Sequence, residues 1–553
     1  MPSRNHFFFS TLICAIAGLA VLASCGGNGV SIANPVAPPS GQFSNSNLKG
    51  TYVFSVSGTD VNGAPYSALG TFTANGSGGN GVGGITGGTI DLNDADLTVP
   101  VPNAAIAGSS TYTVGVDGRG RATLNTSTPL GKIVLDFVLA DSSHGLVIEF
   151  DGNATGSGSI DAQTSGVTPS GSYAFIFSGA DVSSGSEALF ATVGNFTLGS
   201  GGAISSGSED FNDGGFAYPN QALTGNLVLG PSSTPGSTLS TTQFGAFAYD
   251  VYAIDATHLK FIQMDSTATL LGDAYSQSST SAPSGTMAFT LAGSFPGASS
   301  SAVAGGFLVT DGNGNLTNAS SVDANNGGAV SPSPVTFTGT YAAGGTGRYT
   351  VALTSFADGS SYAAYPSSGG LLLLEMDNSG IMVGAAYPQT SGATFAASQG
   401  YALNLSGTNL ASAASIGTTP EVDDIAQFTA NSSGTTVTGI VDENSNAGIG
   451  TAYGVALSGN YTAPDSTGRG QIVANAGNNS NSTLNGGFGL TFYPVDGTTF
   501  PFIETDGGQV AAGVFVLQNP SATATGAIAK PHLFIVRPPV RAHAAHWQKK
   551  NKN

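Results

Sequence analysis

The chain has 553 residues, of which 8% are charged and 81 are glycine, and its formal net charge is −19. All 33 acidic residues but only seven of the 14 basic ones lie between residues 25 and 529. Such an acidic body would be repelled by nucleic-acid phosphates, so we exclude nucleic acid as its partner. The shortage of Glu and Lys disfavours helices, whereas the many Gly, Asn and Ser residues favour short strands joined by turns.

The first 24 residues have the pattern of a secretory signal. A short basic lead precedes an apolar run from residue 7 to residue 22, which is too short for a comfortable membrane span. The run ends in Leu22-Ala23-Ser24-Cys25, which resembles a bacterial lipobox. The resemblance implies that Cys25 carries lipid and becomes the mature N-terminus. Cleavage after Ala23 without lipid and an uncleaved anchor are the alternatives.

A lipid on Cys25 would place the protein in the cell envelope, and we expect the outer membrane. Two or three acyl chains hold a protein at a bilayer essentially permanently, because each buried methylene contributes ~0.8 kcal/mol. Cys14 leaves with the signal, so the mature chain keeps no free thiol for disulfide, redox or metal chemistry. Residues 25–44 contain several prolines and are predicted to form a flexible linker.

The body of the chain consists of four copies of one unit. Each copy opens with a segment in which large apolar side chains alternate with small or polar ones, the period of a strand with one buried face. The aromatic or methionine in the third position recurs at Tyr52, Tyr173, Met287 and Tyr401. A second strand is marked by Phe72, Phe196, Phe307 and Phe428. The predicted repeats are residues 45–165, 166–282, 283–396 and 397–520.

Each unit divides into about eight short strands without an intervening amphipathic helix, so strands are expected to pair with their sequence neighbours. Closing such a meander into an up-and-down barrel removes both sheet edges, and we predict four tandem all-β barrels, with a β-sandwich as the alternative. The Gly-x-Tyr opening resembles the start of avidin-like and lipocalin-like barrels. The whole chain resembles large exported repeat lipoproteins of environmental bacteria. Each unit is expected to fold as an independent bead.

Two polar motifs recur in every unit. The first is Asp-x-Asn, interpreted as a turn, and it occurs at Asp91/Asn93, Asp210/Asn212, Asp323/Asn325 and Asp442/Asn444. The second is [Glu/Gln]-x-Asp, found at Glu149/Asp151, Gln263/Asp265, Glu375/Asp377 and Glu504/Asp506. Seven residues after its Asp there is always a glycine, at Gly158, Gly272, Gly384 and Gly513.

Arginine and glutamate recur together in these units. Three units carry Gly-Arg in a hairpin and also Glu in the second motif, whereas the second unit has Ser237 and Gln263 at those positions. We therefore predict an ion pair between strands of one unit, because guanidinium and carboxylate can form two parallel hydrogen bonds. The predicted pairs are Arg119 with Glu149, Arg348 with Glu375 and Arg469 with Glu504. A cation site or acid/base chemistry at the paired carboxylates is the alternative.

The remaining motifs give no catalytic site. His144 and His258 occupy equivalent positions and are interpreted as turn residues without a special task. Two loops that begin like calcium loops, at Asp311 and Asp442, lack the Gly and Glu of that motif and are interpreted as Asx turns. We predict no catalytic residue, no metal site and no cofactor, and the ligand-binding residues remain unassigned.

The last segment, residues 521–553, differs from the acidic body because it carries six basic residues and Trp547, the only tryptophan. It is interpreted as a solvated tail or as a segment that docks electrostatically on envelope polymers, lipid headgroups or the acidic body. The sequence thus predicts a lipid-anchored, non-enzymatic envelope protein that binds or adheres, with an envelope polymer or glycan as possible partner. The alternatives are a carrier of small apolar ligands inside the barrels and a carbohydrate-active enzyme.

Overall fold

The computed structural model describes residues 35–522, except for residues 39, 79–80, 184–186, 231–235, 278, 295–300, 356–358, 411–420, 432–434, 446–450 and 476–487. The described chain consists almost wholly of strands, with short 3₁₀ turns at Asn45–Asn47 and Ser200–Gly202. Cys25 and residues 523–553 lie outside the described residues, as does most of the predicted linker. No helix within the described residues has the length and hydropathy needed to cross a bilayer.

The first two units each contain nine strands. Barrel 1 comprises β1 (Lys49–Asp60), β2 (Pro65–Asn75), β3 (Gly83–Asp94), β4 (Val101–Ile106), β5 (Thr111–Val114), β6 (Arg119–Asn125), β7 (Lys132–Leu139), β8 (His144–Glu149) and β9 (Ala154–Ala162). Barrel 2 comprises β10 (Gly171–Asp181), β11 (Ala188–Leu198), β12 (Ala203–Asp213), β13 (Phe216–Ala222), β14 (Thr224–Asn226), β15 (Ser237–Thr241), β16 (Gly245–Asp255), β17 (His258–Gln263) and β18 (Leu271–Ser276).

The last two units repeat this order. Barrel 3 comprises β19 (Gly285–Ser294), β20 (Ser301–Thr310), β21 (Asn315–Asn326), β22 (Ala329–Val330), β23 (Val335–Gly345), β24 (Arg348–Thr354), β25 (Ser361–Ser367), β26 (Gly370–Glu375) and β27 (Ile381–Pro388). Barrel 4 comprises β28 (Gly400–Asn409), β29 (Glu421–Ala430), β30 (Thr436–Ser445), β31 (Ala452–Thr462), β32 (Gly470–Asn475), β33 (Phe488–Phe492), β34 (Thr499–Glu504) and β35 (Gln509–Leu517).

Each unit is a closed, antiparallel, eight-stranded barrel. Sequential strands pair along the chain, and the first strand of each unit pairs with its last: β1 with β9, β10 with β18, β19 with β27 and β28 with β35. In barrels 1 to 3 the extra short strand, β4, β13 or β22, pairs with the strand before it and lies outside the closed circuit. The barrel prediction is therefore confirmed, and the β-sandwich alternative is wrong.

The recurring glycine after the second motif lies where the last strand meets the first. Gly158 is opposite Val56, and a Cβ built on Gly158 would lie 1.8 Å from the carbonyl oxygen of Ser55. Gly513 is opposite Leu405, and its Cβ would lie 2.0 Å from the carbonyl oxygen of Asn404. The closing strands approach so closely that no larger residue fits without displacing the main chain.

The barrel interiors are filled by the alternating apolar side chains of the repeat. In barrel 1, Tyr52, Phe54 and Phe72 are all buried in one interior cluster. Barrel 3 departs from the predicted register, because Met287 is opposite Leu308 rather than Phe307. Phe307 therefore points out of its barrel and packs against Tyr493 of barrel 4, since a shift of one residue moves a side chain to the other face.

The four barrels form a closed ring, which corrects the expectation of independent beads along a string. Consecutive barrels pack side against side, and barrel 4 packs against barrel 1 through β28 and β29 on β7, β8 and β9. We call the four contacts seams 1–2, 2–3, 3–4 and 4–1. Each has an apolar component, such as Val53 and Leu69 with Tyr252 and Ile262 at seam 1–2.

The tight closure of each barrel gives a direct test. We expect Gly513→Ala to lower the free energy of unfolding by about 2–4 kcal/mol, because the new methyl group would collide with the main chain of Asn404. Gly497→Ala is the matched control, since nothing lies within 4 Å of the corresponding Cβ position. Urea-induced unfolding would measure both changes, and equal effects of the two substitutions would contradict the packing argument.

Candidate functional site

The seams bring together the two polar motifs that recur in the sequence. At each seam the end of the Asp-x-Asn strand of one barrel lies against the [Glu/Gln]-x-Asp hairpin of the next barrel. This arrangement holds from barrel 1 to barrel 2, from 2 to 3, from 3 to 4 and from 4 back to 1. The motifs interpreted as local turns are therefore the contact surfaces between barrels.

A buried Asn side chain binds the hairpin of the next barrel at every seam. Its Nδ2 donates to the main-chain carbonyl of the motif's Glu or Gln and to the carbonyl five residues later, at 2.8 to 3.1 Å. The contacts are Asn93 with Gln263 and Ala268, Asn212 with Glu375 and Gly380, Asn325 with Glu504 and Gln509, and Asn444 with Glu149 and Ala154. One amide thus satisfies two carbonyls that turn away from their own sheet.

The arginines pair with the aspartates of the preceding barrel, which corrects the predicted partners. Arg348 donates to both carboxylate oxygens of Asp210 at 2.8 and 2.6 Å, and Arg469 to both of Asp323 at 2.8 and 2.9 Å. Arg119 contacts Asp442 at 2.9 Å and its own neighbour Asp117 at 2.9 Å. The predicted pairs Arg119 with Glu149, Arg348 with Glu375 and Arg469 with Glu504 are wrong.

The reason is that the glutamates and the arginines lie on opposite faces of the barrel wall. Glu149 points into barrel 1, where it accepts a hydrogen bond from Tyr66. Glu375 accepts one from Ser379 at 2.5 Å. Burial, followed by the neighbouring carboxylates Asp151 and Asp506, raises the pKa of Glu149 and of Glu504 well above the usual value.

The aspartates of the second motif have a structural task. Asp151 accepts hydrogen bonds from the main-chain amides of Val134 and Asn153, and Asp265 does the same with Ala248 and Thr267. Each such carboxylate closes its own turn and ties the hairpin to the preceding strand. These bonds occupy the oxygens that a two-carboxylate cation or acid/base site would need.

Sequence analysis missed one glutamine at each seam. It follows the Asp of the second motif by twelve residues and donates to a main-chain carbonyl of the next barrel at 2.8 to 3.0 Å. The contacts are Gln163 with Ala253, Gln277 with Pro366, Gln389 with Pro494 and Gln518 with Leu139. The fixed spacing was visible in the sequence, but only the ring shows that these glutamines bind the next barrel.

Seam 1–2 differs from the others because it brings two carboxyl groups together without an arginine. Asp91 accepts hydrogen bonds from the Tyr252 hydroxyl at 2.6 Å and from the Asn103 amide at 2.5 Å. Asp250 lies beside it and is 1% exposed. Burial and the charge of Asp91 raise the pKa of Asp250 to about 7, so the pair favours one shared proton near neutral pH.

A buried lysine also joins barrels 1 and 2. The Lys260 Nζ lies 2.9 Å from Asp273 and 3.8 Å from Asp161 of barrel 1. His258 contacts Asp273 at 2.6 Å, and His144 contacts Asp161 at 2.7 Å. The two histidines are therefore partners of buried carboxylates, which corrects their interpretation as turn residues without a task.

A cavity of about 350 Å³ opens beside barrel 3. Its wall includes Met287, Leu371 and Tyr387 of barrel 3 together with Val495 and Asp496 of barrel 4. The lining is mostly apolar, with one carboxylate at the barrel 4 side. Its size and chemistry suit a small, largely apolar molecule.

Comparisons with known proteins give weak structural similarities alone. No family model matches the chain, and no curated protein matches it. A transferrin binding protein B from serogroup B Neisseria meningitidis matches with 10% identity and TM-score 0.17, over 68% of this chain and 83% of that one. A putative AttH from Nitrosomonas europaea matches with 10% identity and TM-score 0.17, over 44% and 98%. A transferrin binding protein B from Haemophilus parasuis matches with 8% identity and TM-score 0.18, over 69% and 82%. Similarities at this level carry no argument about function.

The seam hydrogen bonds give a second test. We expect Asn212→Ala to lower the free energy of unfolding by about 2–4 kcal/mol, because it leaves the buried carbonyls of Glu375 and Gly380 without this donor. Asn313→Ala removes an exposed turn amide and should change stability by less than about 0.5 kcal/mol. Chemical unfolding measures both, and similar losses of stability would show that the seam hydrogen bonds contribute no more than an exposed turn amide.

The carboxyl pair at seam 1–2 gives a third test, in metal-free buffer. A carboxyl whose pKa is raised from 3.8 to about 7 on folding contributes stability that is complete below about pH 4 and is lost as the pH rises through 7. Asp250→Asn should therefore reduce the loss of stability between pH 4 and pH 8 by about 1–2 kcal/mol, after allowance for solvent screening. Thermal unfolding across this pH range measures the difference, and parallel curves for both proteins would refute the assignment.

Proposed function

We propose that this chain is a non-catalytic binding protein of the cell envelope, a ring of four β-barrels held to the outer membrane by lipid on Cys25. The observation that carries the proposal is that most basic side chains of the body form ion pairs. Five of the seven basic residues of the body contact buried carboxylates at or beside the seams: Arg119, Arg121, Arg348, Arg469 and Lys260. The carboxylates that they contact are thus occupied in structural ion pairs.

The positions of the chain ends support attachment on one side of the ring. Ser40 donates to the Gln518 carbonyl at 3.0 Å, and Asn47 donates to the Pro520 carbonyl at 2.9 Å. The segment that leads back to Cys25 and the segment that leads on to the basic residues after 522 therefore leave the ring together at seam 4–1. A lipid and a cluster of cations that start from one place suit a membrane surface with anionic headgroups or polymers.

A carrier of small apolar ligands is the second candidate, and the cavity beside barrel 3 is the observation that favours it. The barrel interiors themselves are occupied by their own side chains, such as Phe395, Phe492 and Phe500 in barrel 4. A cargo would accordingly bind in the 350 Å³ cavity where barrel 3 meets barrel 4, next to the interior residues Met287 and Leu371. This site is small for a dedicated carrier, so non-catalytic binding at the cell envelope is the preferred function.

The anchoring half of the proposal is tested at the two cysteines. Cys25→Ser should release the protein from the membrane fraction and abolish incorporation of labelled palmitate, because no sulfur remains to carry lipid. Cys14→Ser is the matched control, since this residue lies in the signal and the protein should stay anchored. Membrane retention of the Cys25→Ser protein, together with no incorporation of labelled palmitate by the unsubstituted protein, would instead indicate an uncleaved anchor and overturn the lipid assignment.

The same experiment provides the reagent for the binding half. The released Cys25→Ser protein should co-sediment with purified anionic envelope polysaccharide at low salt, and removal of residues 523–553 should reduce that retention severalfold. Equal retention of both forms would locate binding on the ring itself. Failure of both forms to co-sediment would contradict the proposed binding role while leaving the lipid assignment intact.

A further inference from the structure

Seam 4–1 shows how the ring neutralises two buried aspartates. Asp442 of barrel 4 is bound by Arg119, and Asp136 of barrel 1 is bound by Arg121 at 2.5 and 2.6 Å. The guanidinium group of Arg121 is also covered by the ring of Tyr453, 4.6 Å away. Each of these two aspartates thus has a guanidinium partner at this seam, although Arg119 also binds the buried Asp117 of its own barrel.

Strand register identifies the same two carboxylates at seam 1–2. Asp91 and Asp442 occupy the same place in the first motif. Leu135 pairs with Glu149, and Tyr249 pairs with the equivalent Gln263, so the next residues, Asp136 and Asp250, are also equivalent. Seam 1–2 thus contains the acidic half of the seam 4–1 arrangement.

The basic half of the arrangement is missing from the sequence at seam 1–2. Arg121 pairs with Asp136, and continuation of the β15–β16 register brings Gly236 opposite Asp250. No Lys or Arg occurs anywhere in residues 224–241, which contain the corresponding strands β14 and β15 and their loop. Lys260 of the same barrel is already bound to Asp273.

The two carboxyl groups of seam 1–2 differ in their hydrogen bonds, and Asp250 is the less well satisfied of the two. Both of its carboxylate oxygens are buried without a well-aligned hydrogen-bond donor, and the polar groups that act on them are the Gly236 amide and the carboxyl of Asp91. Asp91, beside it, is held by the Tyr252 hydroxyl and the Asn103 amide. A buried carboxyl that faces a second carboxylate costs free energy unless a proton or a positive charge lies between them, and above neutral pH the proton is lost.

We propose that seam 1–2 binds a divalent cation of the calcium class between Asp91 and Asp250, where the other seams have arginine. The ligand atoms that the pair offers are carboxylate oxygens, which hard cations prefer to the nitrogen and sulfur ligands of zinc or copper. The described residues contain no group of three His, Cys, Asp or Glu suited to a metal, so a cation here would need main-chain oxygens or water as its further ligands. The bound ion closes the only seam at which register and sequence supply no guanidinium.

The experiment uses the lipid-free Cys25→Ser protein at pH 8, with ionic strength matched by NaCl because the acidic body attracts cations without specificity. Calcium is the probe, compared with EDTA. Saturating calcium should raise the Tm by about 3 °C or more, and calorimetry should give one specific site per chain. Asp250→Asn should remove the specific site and lower the calcium affinity at least tenfold.

Two further variants make the outcome decisive. Asp96→Asn removes an exposed carboxylate of barrel 1 and should keep the full calcium response. Gly236→Arg places a guanidinium where barrel 1 has Arg121, and it should raise the Tm in EDTA while abolishing the calcium increment. Its new side chain starts 3.1 Å from the Val228 Cβ, which is half exposed and has room to shift.

Two results would overturn the proposal. A calcium response that is the same in the unsubstituted, Asp250→Asn and Asp96→Asn proteins would show general attraction to an acidic surface. No calcium response, together with a Tm that rises on acidification and depends on Asp250, would show that a shared proton alone neutralises the pair. Neither result depends on lipidation or on polymer binding, so the proposed function is tested separately.

Discussion

A main-chain carbonyl that turns away from its own sheet must find another donor when it is buried, and this requirement shapes the whole molecule. At every seam the donor is an Asn side chain from the preceding barrel, as Asn212 shows with Glu375 and Gly380. The hairpin of one barrel is therefore satisfied only when its neighbour is in place. Four barrels that each close by their own strands are for this reason also closed as a ring, since barrel 4 makes the same contact with barrel 1.

The same geometry decides where the few charges of this protein lie. The Asp two residues before each seam Asn is buried with it, and a buried carboxylate needs a positive charge or a proton. Three seams use arginine, and the aspartates of seams 2–3 and 3–4 also accept a hydrogen bond from a tyrosine, Tyr365 or Tyr493. Seam 1–2 keeps the tyrosine but has a second carboxyl in place of the cation. Seam 1–2 thus lacks the arginine that the other three seams have, and this difference is the basis for proposing a bound cation there.

Much of the fold could be predicted from local patterns, because alternation and closure are properties of single units. The period of two gave the interior residues, and the glycine after the second motif marked the closing strands. The arginines were recognised as members of structural ion pairs, but the predicted partner was wrong. Glu149 follows the inward-facing Val147 by two residues, whereas Arg119 and Arg121 alternate with the inward-facing Ala122. Alternation along each strand already implied that arginine and glutamate face opposite ways.

By itself the sequence determined the number of units, their strand class and the spacing of every polar residue that recurs. Only the tertiary structure decided that the units form a ring, that the recurring Asp, Asn, Arg and Gln side chains act between barrels, and that Phe307 belongs to a seam. The physical reason is that a repeat shows which residues are equivalent but not which copy each one contacts. A contact within a unit and a contact with the next unit leave the same periodic trace in the sequence, and packing alone distinguishes them.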